Sequence, residues 1–196
     1  MLAAHGVTAI GLDDADVPCD AAEDAIEAFD TFEANAIAKA RYFATLTGRI
    51  CVADDSGLCI DALGGMPGVR SRRFALDVTH ASRPDATTDQ ANNAAMLDAC
   101  WDSGWAPPWV AHYACVVAYV HAATEIVAHG RTDGNIVPDA QGHGGFGYDP
   151  YFVSADLGLT FAMAFMGEKA RVSHRGRAVA ALMSHLEASG STSSAR

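Results

Sequence analysis

Lysine is almost missing from this 196-residue chain, with only Lys39 and Lys169 present. Lys and Arg together number 13 against 24 Asp and Glu, a formal net charge of −11. Such a balance argues against nucleic acid or an anionic membrane as a partner held by diffuse charge, since that binding rests on basic patches that neutralise phosphates. A small phosphorylated substrate stays allowed where a metal ion and a few local cations, mostly arginines, hold it. No apolar run reaches the length of a membrane span. Met1 to Leu12 also lacks the basic flank and apolar stretch of a signal segment, so a cytoplasmic protein is expected. The five cysteines (Cys19, Cys51, Cys59, Cys100, Cys115) are odd in number and never spaced C-x-x-C, which indicates neither a disulfide framework nor a zinc ribbon. A P-loop lysine pattern, a G-x-G-x-x-G after a strand and a His-Glu-x-x-His run are all missing, and so is any internal repeat.

What is present is ample material for a core. Half the residues are hydrophobic and 19% are charged, which excludes wholesale disorder. The length fits one domain, read as residues 1–188 with a flexible tail at 189–196. Residues 13–30 read as an acidic loop. A helix is predicted from Thr31 to Leu46, with Ile37, Ala40 and Ala44 on one face, an N-cap at Asp30 or Thr31, and Gly48 at its end. Ile50 to Ala53 reads as a short strand stopped by Asp54-Asp55. Residues 76–88 read as a polar, mobile loop before a helix from Thr88 to Ala99. Val110–Val120 and Glu125–Ala128 read as a hairpin, with Cys51 and Cys115 as buried reduced thiols. Ser173 is placed to N-cap a last helix whose apolar face is Val179, Leu182, Met183 and Leu186. Helices and strands alternate, so the class is α/β with a mixed sheet.

Three segments carry candidate chemistry. Asp54-Asp55-Ser56-Gly57 follows a strand, where adjacent side chains point to opposite faces, so one carboxylate faces the site and the other braces the loop. Carboxylates there suit magnesium, which keeps several waters and takes one or two carboxylates plus substrate phosphates; an Asp-rich turn capping backbone amides is the plain alternative. Gly142 to Gly147 holds four glycines in six residues ahead of Tyr148-Asp149-Pro150. Glycines let backbone approach a ligand and the aromatics can stack on a base, or the run is simply a tight turn. Lys169, His174 and Arg175 place three potential cations within seven residues at a helix start, a local cationic site or a solvated terminus.

Taken in order, four motifs resemble one family. Val52-Ala53-Asp54-Asp55-Ser56-Gly57-Leu58, Ala62-Leu63-Gly64-Gly65-Met66-Pro67-Gly68, Gly145-Phe146-Gly147-Tyr148-Asp149-Pro150 and Ser173-His174-Arg175-Gly176 are similar to the inosine/xanthosine triphosphate pyrophosphatases, the Ham1-like family. The helix with Thr31-Phe32-Glu33-Ala34-Asn35-Ala36 and Lys39-Ala40-Arg41 matches as well. The resemblance implies an elongated mixed sheet flanked by helices, in two lobes with a central nucleotide cleft. It implies a homodimeric, Mg2+-dependent hydrolase that converts ITP, dITP or XTP to the monophosphate and pyrophosphate. On that basis Asp55 is the metal-binding acid and proton acceptor, and Glu27 takes the place of a second metal ligand. Lys39 faces the phosphates, and Ser56 touches substrate. Phe146, Gly147, Tyr148 and Asp149 line the base and sugar site, while Lys169, His174 and Arg175 complete the contacts. Arg175 carries only donors, which suit a 6-keto oxygen and not a 6-amino group.

The chain also departs from the family pattern. Phe29 stands where glycine is usual, Ala34 where glutamate is frequent, and Met163 where glutamate is common. The family's opening strand and Thr/Ser-x-Asn-x-x-Lys loop are not recognised ahead of Met1 to Ala4, which look like the end of the helix that follows them. The alternative expectation is therefore a homologue that binds nucleotides and is catalytically impaired for want of that triphosphate-binding loop.

Overall fold

The computed structural model describes residues 2–15, 17, 26, 28–78 and 86–193. Helix α1 (Phe32–Thr47) begins where Thr31 Oγ1 accepts the Ala34 N–H at 3.2 Å. It stops at Gly48, whose φ of 64° turns the chain left-handed and whose N–H donates to the Ala44 carbonyl. Both caps match the expectation. Of the acidic segment 13–30, Asp13–Ala15 form one 3-10 turn; Glu27, the expected second metal ligand, lies outside the described residues.

Strand β1 (Cys51–Ile60) corrects the sequence reading. It does not stop at Asp54-Asp55 but runs ten residues, straight through both carboxylates and on to buried Leu58 and Ile60. Gly57 permits this course, because a Cβ there would sit 2.2 Å from the Gly68 carbonyl oxygen. Beyond β1 come α2 (Phe74–Val78), α3 (Thr88–Asp102), β2 (Trp109–His121), β3 (Thr124–Ile136), β4 (Phe152–Ser154), α4 (Met166–Val172) and α5 (His174–Ser193). The sheet order is β1-β2-β3-β4, with β4 antiparallel to β3 through Gly134–Ser154, Asn135–Val153 and Ile136–Phe152. The class is α/β, as expected. Residues 79–85 of the expected loop lie outside the described residues, and the backbone of α5 continues past Ser189 to Ser193.

Strand β3 is far longer than the expected Glu125–Ala128. Its inward positions after Ala128 are Gly130, Thr132, Gly134 and Ile136, two of them glycines, so apolar alternation is nearly invisible. The glycines answer to close neighbours. A Cβ on Gly130 would lie 2.0 Å from the His174 carbonyl oxygen, and one on Gly134 would lie 2.3 Å from that of Val153.

The chain divides into two compact units. The first comprises Met1–Asp55, Cys115–Gly130 and His174–Arg196; the second comprises Ser56–Ala114 and Arg131–Ser173. In the first, β2 is apolar on both sides because both are covered. Cys115 and Val117 pack with Ala178, Val179, Leu182 and Met183 of α5, while Val116, Ala118 and Val120 pack with Ala36 and Ala40 of α1. The core of the second unit joins Leu58, Phe74, Met96, Trp109, Tyr113, Phe152 and Phe161. Asn92, on α3, ties that helix to the segment leading into α2: its amide donates to the Arg72 carbonyl and accepts the Ala75 N–H, both at 2.9 Å.

Candidate functional site

The first unit gathers two carboxylate clusters from adjacent residues of β1. Strand alternation sends the Asp55 side chain toward α1, where Asn35 and Lys39, one helical turn apart, share a face. Asn35 Nδ2 donates to Asp55 Oδ2 at 2.9 Å, and Lys39 Nζ lies 3.4 Å from Asp55 Oδ1. The Asp55 and Lys39 side chains are only 12% and 16% exposed, so the attraction between them is weakly screened. Asp54 turns the other way. Its Oδ2 accepts Arg175 Nε–H at 2.8 Å and lies 3.8 Å from Cys115 Sγ. Burial, then the Asp54 carboxylate, pushes the Cys115 thiol well above the ordinary cysteine range, so it stays protonated. His174, at the start of α5, is buried. The two carboxylates thus face different partners, and Asp54 holds Arg175 rather than the loop that follows the strand.

Asn35 was not singled out from the sequence, and it is central here. The side chain is buried, accepts the Phe29 N–H at 3.0 Å, and donates to the Phe29 carbonyl at 3.1 Å as well as to Asp55. One amide therefore fixes both the segment entering α1 and the carboxylate of β1. Its signal in the sequence is an amide between Ala34 and Ala36, one turn before Lys39.

The second unit carries the glycine-rich segment. Asp149, buried, takes the Phe146 N–H at 2.8 Å on Oδ2 and pairs with Lys169 through the same oxygen. Lys169 Nζ lies 4.9 Å from the centre of the Phe146 ring and 5.2 Å from that of Phe161, within cation–π range. Gly145 has φ +75°, and a Cβ on it would fall 2.1 Å from Asp149 Oδ2, so only glycine fits. Gly147 donates its N–H to Asp89 and accepts at its carbonyl from Asn93, two further residues that sequence reasoning missed. Tyr148 belongs to the core, and its hydroxyl donates to the Ser71 carbonyl at 2.7 Å. Burial, then Asp89, raises its pKa. Ser56 is half-buried at the head of this unit. Two residues on, the Leu58 N–H donates to Ser71 Oγ at 2.9 Å.

Chemically, the first unit offers an oriented carboxylate beside a lysine, with an arginine held by a second carboxylate. The second offers an exposed aromatic ring beside a half-buried lysine that pairs with buried Asp149. Among the described residues no group of three His, Cys, Asp or Glu is arranged to hold a metal ion.

The family model described as the Ham1 family matches residues 1–185. The chain is 40% identical over 191 residues to the dITP/XTP pyrophosphatase of Chromobacterium violaceum, covering 96% of this chain and 89% of the relative. It is 43% identical over 183 residues to the protein of that name from Nocardia farcinica, covering 93% and 83%. Among solved structures, it is similar to a HAM1 protein from Coxiella burnetii at a TM-score of 0.76 and 34% identity, covering 91% of this chain and 85% of that one.

Proposed function

The chain belongs to the Ham1 family, and from that premise we propose that it hydrolyses non-standard purine nucleoside triphosphates, dITP, ITP and XTP, to the monophosphate and pyrophosphate. It is a hydrolase acting on acid anhydrides. The observation that carries the reading is the Asp55 carboxylate, held by Asn35 and Lys39, in a chain whose relatives bear the name dITP/XTP pyrophosphatase.

Phosphoryl transfer asks the protein mainly for positioning and charge stabilisation. In the proposed reaction a water oxygen bonds to the α-phosphorus, the bond to the α–β bridging oxygen breaks, and that oxygen leaves on pyrophosphate. Asp55 accepts the proton of the water. Lys39 neutralises phosphate charge and keeps the Asp55 carboxylate in place. Arg175 donates to the 6-keto oxygen, with Asp54 fixing its guanidinium. Phe146 stacks on the base, and Lys169, His174, Ser56, Gly147, Tyr148 and Asp149 are the further substrate contacts that the family resemblance implies.

Magnesium fits this donor set sparingly: Asp55 would hold the ion, Glu27 is the proposed second carboxylate, and phosphates and waters would fill the rest of the shell. Bound there, it would polarise the phosphoryl oxygens and lower the pKa of a coordinated water. The reading extends to a homodimer working in the cytoplasm, on the strength of the family resemblance. Among the described residues no helix is long and apolar enough to cross a membrane. Nothing observed favours the catalytically impaired alternative.

The test is product analysis with ITP, XTP, ATP and GTP in magnesium. Inosine and xanthosine monophosphate with stoichiometric pyrophosphate are expected, with ATP nearly untouched. Nucleoside diphosphate with inorganic phosphate, or ATP turned over as fast as ITP, overturns the assignment.

A further inference from the structure

Gly147 sits at the turn of the Phe146–Asp149 segment with φ +59°, and both of its backbone polar groups are engaged by one helix. Its N–H donates to Asp89 Oδ2 at 2.8 Å, and its carbonyl accepts from Asn93 Nδ2 at 3.0 Å. Asp89 and Asn93 are four residues apart on α3, hence on one face. The start of that helix is itself fixed. Thr87 Oγ1 accepts the Gln90 N–H at 3.2 Å, and Gln90 Oε1 accepts the Thr87 N–H at 2.9 Å, a reciprocal capping box.

The flanking residues have other partners: Tyr148 donates to the Ser71 carbonyl, Asp149 pairs with Lys169, and two bonds run within the segment. The Asp149 N–H donates to the Phe146 carbonyl at 3.2 Å, and the Phe146 N–H to Asp149 Oδ2. These bonds tie the residues on either side of Gly147 and leave the glycine peptide to α3. Glycine is the residue with most freedom to turn about its own backbone. The ring just before it is 62% exposed, with Lys169 Nζ 4.9 Å from its centre. Asn93 Oδ1, meanwhile, is buried without a hydrogen-bond partner among the described residues. A buried orphan acceptor is costly, and an apolar side chain would cover the same helix face without it. The one hydrogen bond of this amide among the described residues is its contact with the Gly147 carbonyl.

We propose that Asp89 and Asn93 are positioning residues that set how tightly the purine is held, by clamping the Gly147 peptide and so aiming Phe146. This rests on the reading that Phe146 stacks on the base. The test is steady-state hydrolysis of ITP by Asp89→Ala, Asn93→Ala and Asp89→Asn in the full chain, with Phe146→Ala alongside. Either alanine variant raises KM for ITP about tenfold and leaves kcat within about threefold. Asp89→Asn keeps an acceptor for the Gly147 N–H and restores a KM near wild type. The proposal is overturned if Phe146→Ala raises KM while both alanine variants at 89 and 93 leave it unchanged. It is equally overturned if the rise in KM comes with a fall in both kcat and melting temperature in both variants, which marks a purely structural clamp. If Phe146→Ala itself leaves KM for ITP unmoved, the base-stacking reading fails first and the proposal with it.

Discussion

Asp54 and Asp55 are neighbours in β1, yet their carboxylates serve opposite helices: Asp54 accepts from Arg175 of α5 at 2.8 Å, and Asp55 from Asn35 of α1 at 2.9 Å. Strand alternation alone accounts for the split. It also separates the consequences of removing either charge.

Asp55→Asn is expected to lower kcat by about 10²–10⁴, the usual worth of a general base, because the amide neither takes a proton from water nor holds a cation well. Asp54→Asn keeps an acceptor for Arg175 and is expected to lose less than about tenfold. Both side chains of the Asp54–Arg175 pair are more than a third exposed, so the pair contributes only about 0–1 kcal/mol to stability. Pyrophosphate release and thermal melts on both variants check this. An Asp55→Asn enzyme near wild-type rate would remove Asp55 from the reaction.

Arg175→Ala tests base choice. Losing a charge-assisted hydrogen bond to the 6-keto oxygen is expected to cut kcat/KM for ITP by roughly tenfold to a hundredfold. ATP, which offers an amino group there, should lose much less, so the ITP/ATP ratio narrows. Equal losses on both substrates would assign Arg175 to phosphate or to Asp54 alone.

Asn35→Ala should be felt in both stability and rate. The Phe29 N–H and carbonyl lose their partner, and Asp55 loses a donor. Stranding such groups typically costs about 1–3 kcal/mol, or roughly 2–12 °C in melting temperature for a chain of this size. Because Asp55 is then less well aimed, kcat should fall as well. Asn35→Asp sets a like charge against Asp55 and should be the worse of the two for turnover. A melting temperature and kcat unchanged by both variants would refute the role assigned to this amide.

How far the sequence could be read depended on what kind of signal each element leaves. Helix α1 was legible end to end, since Thr31 and Gly48 are local signals that act through their own backbone neighbours. The apolar face of α5 was legible too, because Val179, Leu182 and Met183 recur at helical spacing and are buried as expected. The distal half of β3 was not, as its inward positions are glycines whose reason is a neighbour far along the chain. The extent of β1 was misread for a related cause: two aspartates look like a stop, and only their partners at Asn35, Lys39 and Arg175 make them tolerable within a strand. The motifs singled out Asp55, Lys39, Phe146, Asp149 and Lys169, and the structure sets Asp55 beside Lys39 and Lys169 beside both Asp149 and Phe146. Asn35, Asp89 and Asn93 act by single hydrogen bonds to backbone or to a carboxylate, which leave no periodic trace.

The pH dependence of stability offers a test that is independent of catalysis. Cys100, on α3, is buried in the core of the second unit. Burial pushes its thiol up from an ordinary value of 9.0 to about 11. In the unfolded chain the thiol ionises first, so above about pH 9 the unfolded state binds fewer protons than the native state, and stability falls with rising pH. The contribution is fully present below the unfolded pKa and is lost as pH climbs toward the folded one. Two pKa units correspond to about 2–3 kcal/mol. The Cys59, Cys115 and Tyr148 values are also raised by burial and act in the same direction. Comparison with Cys100→Ala isolates the one group, since that variant keeps the other three. Urea unfolding at about pH 8 and about pH 10.5 should show wild type losing roughly 2 kcal/mol more than the variant between the two conditions. Parallel losses would mean that the Cys100 thiol does not titrate as a buried group, and the packing assigned to α3 against β1 and β2 of that core would have to be revised.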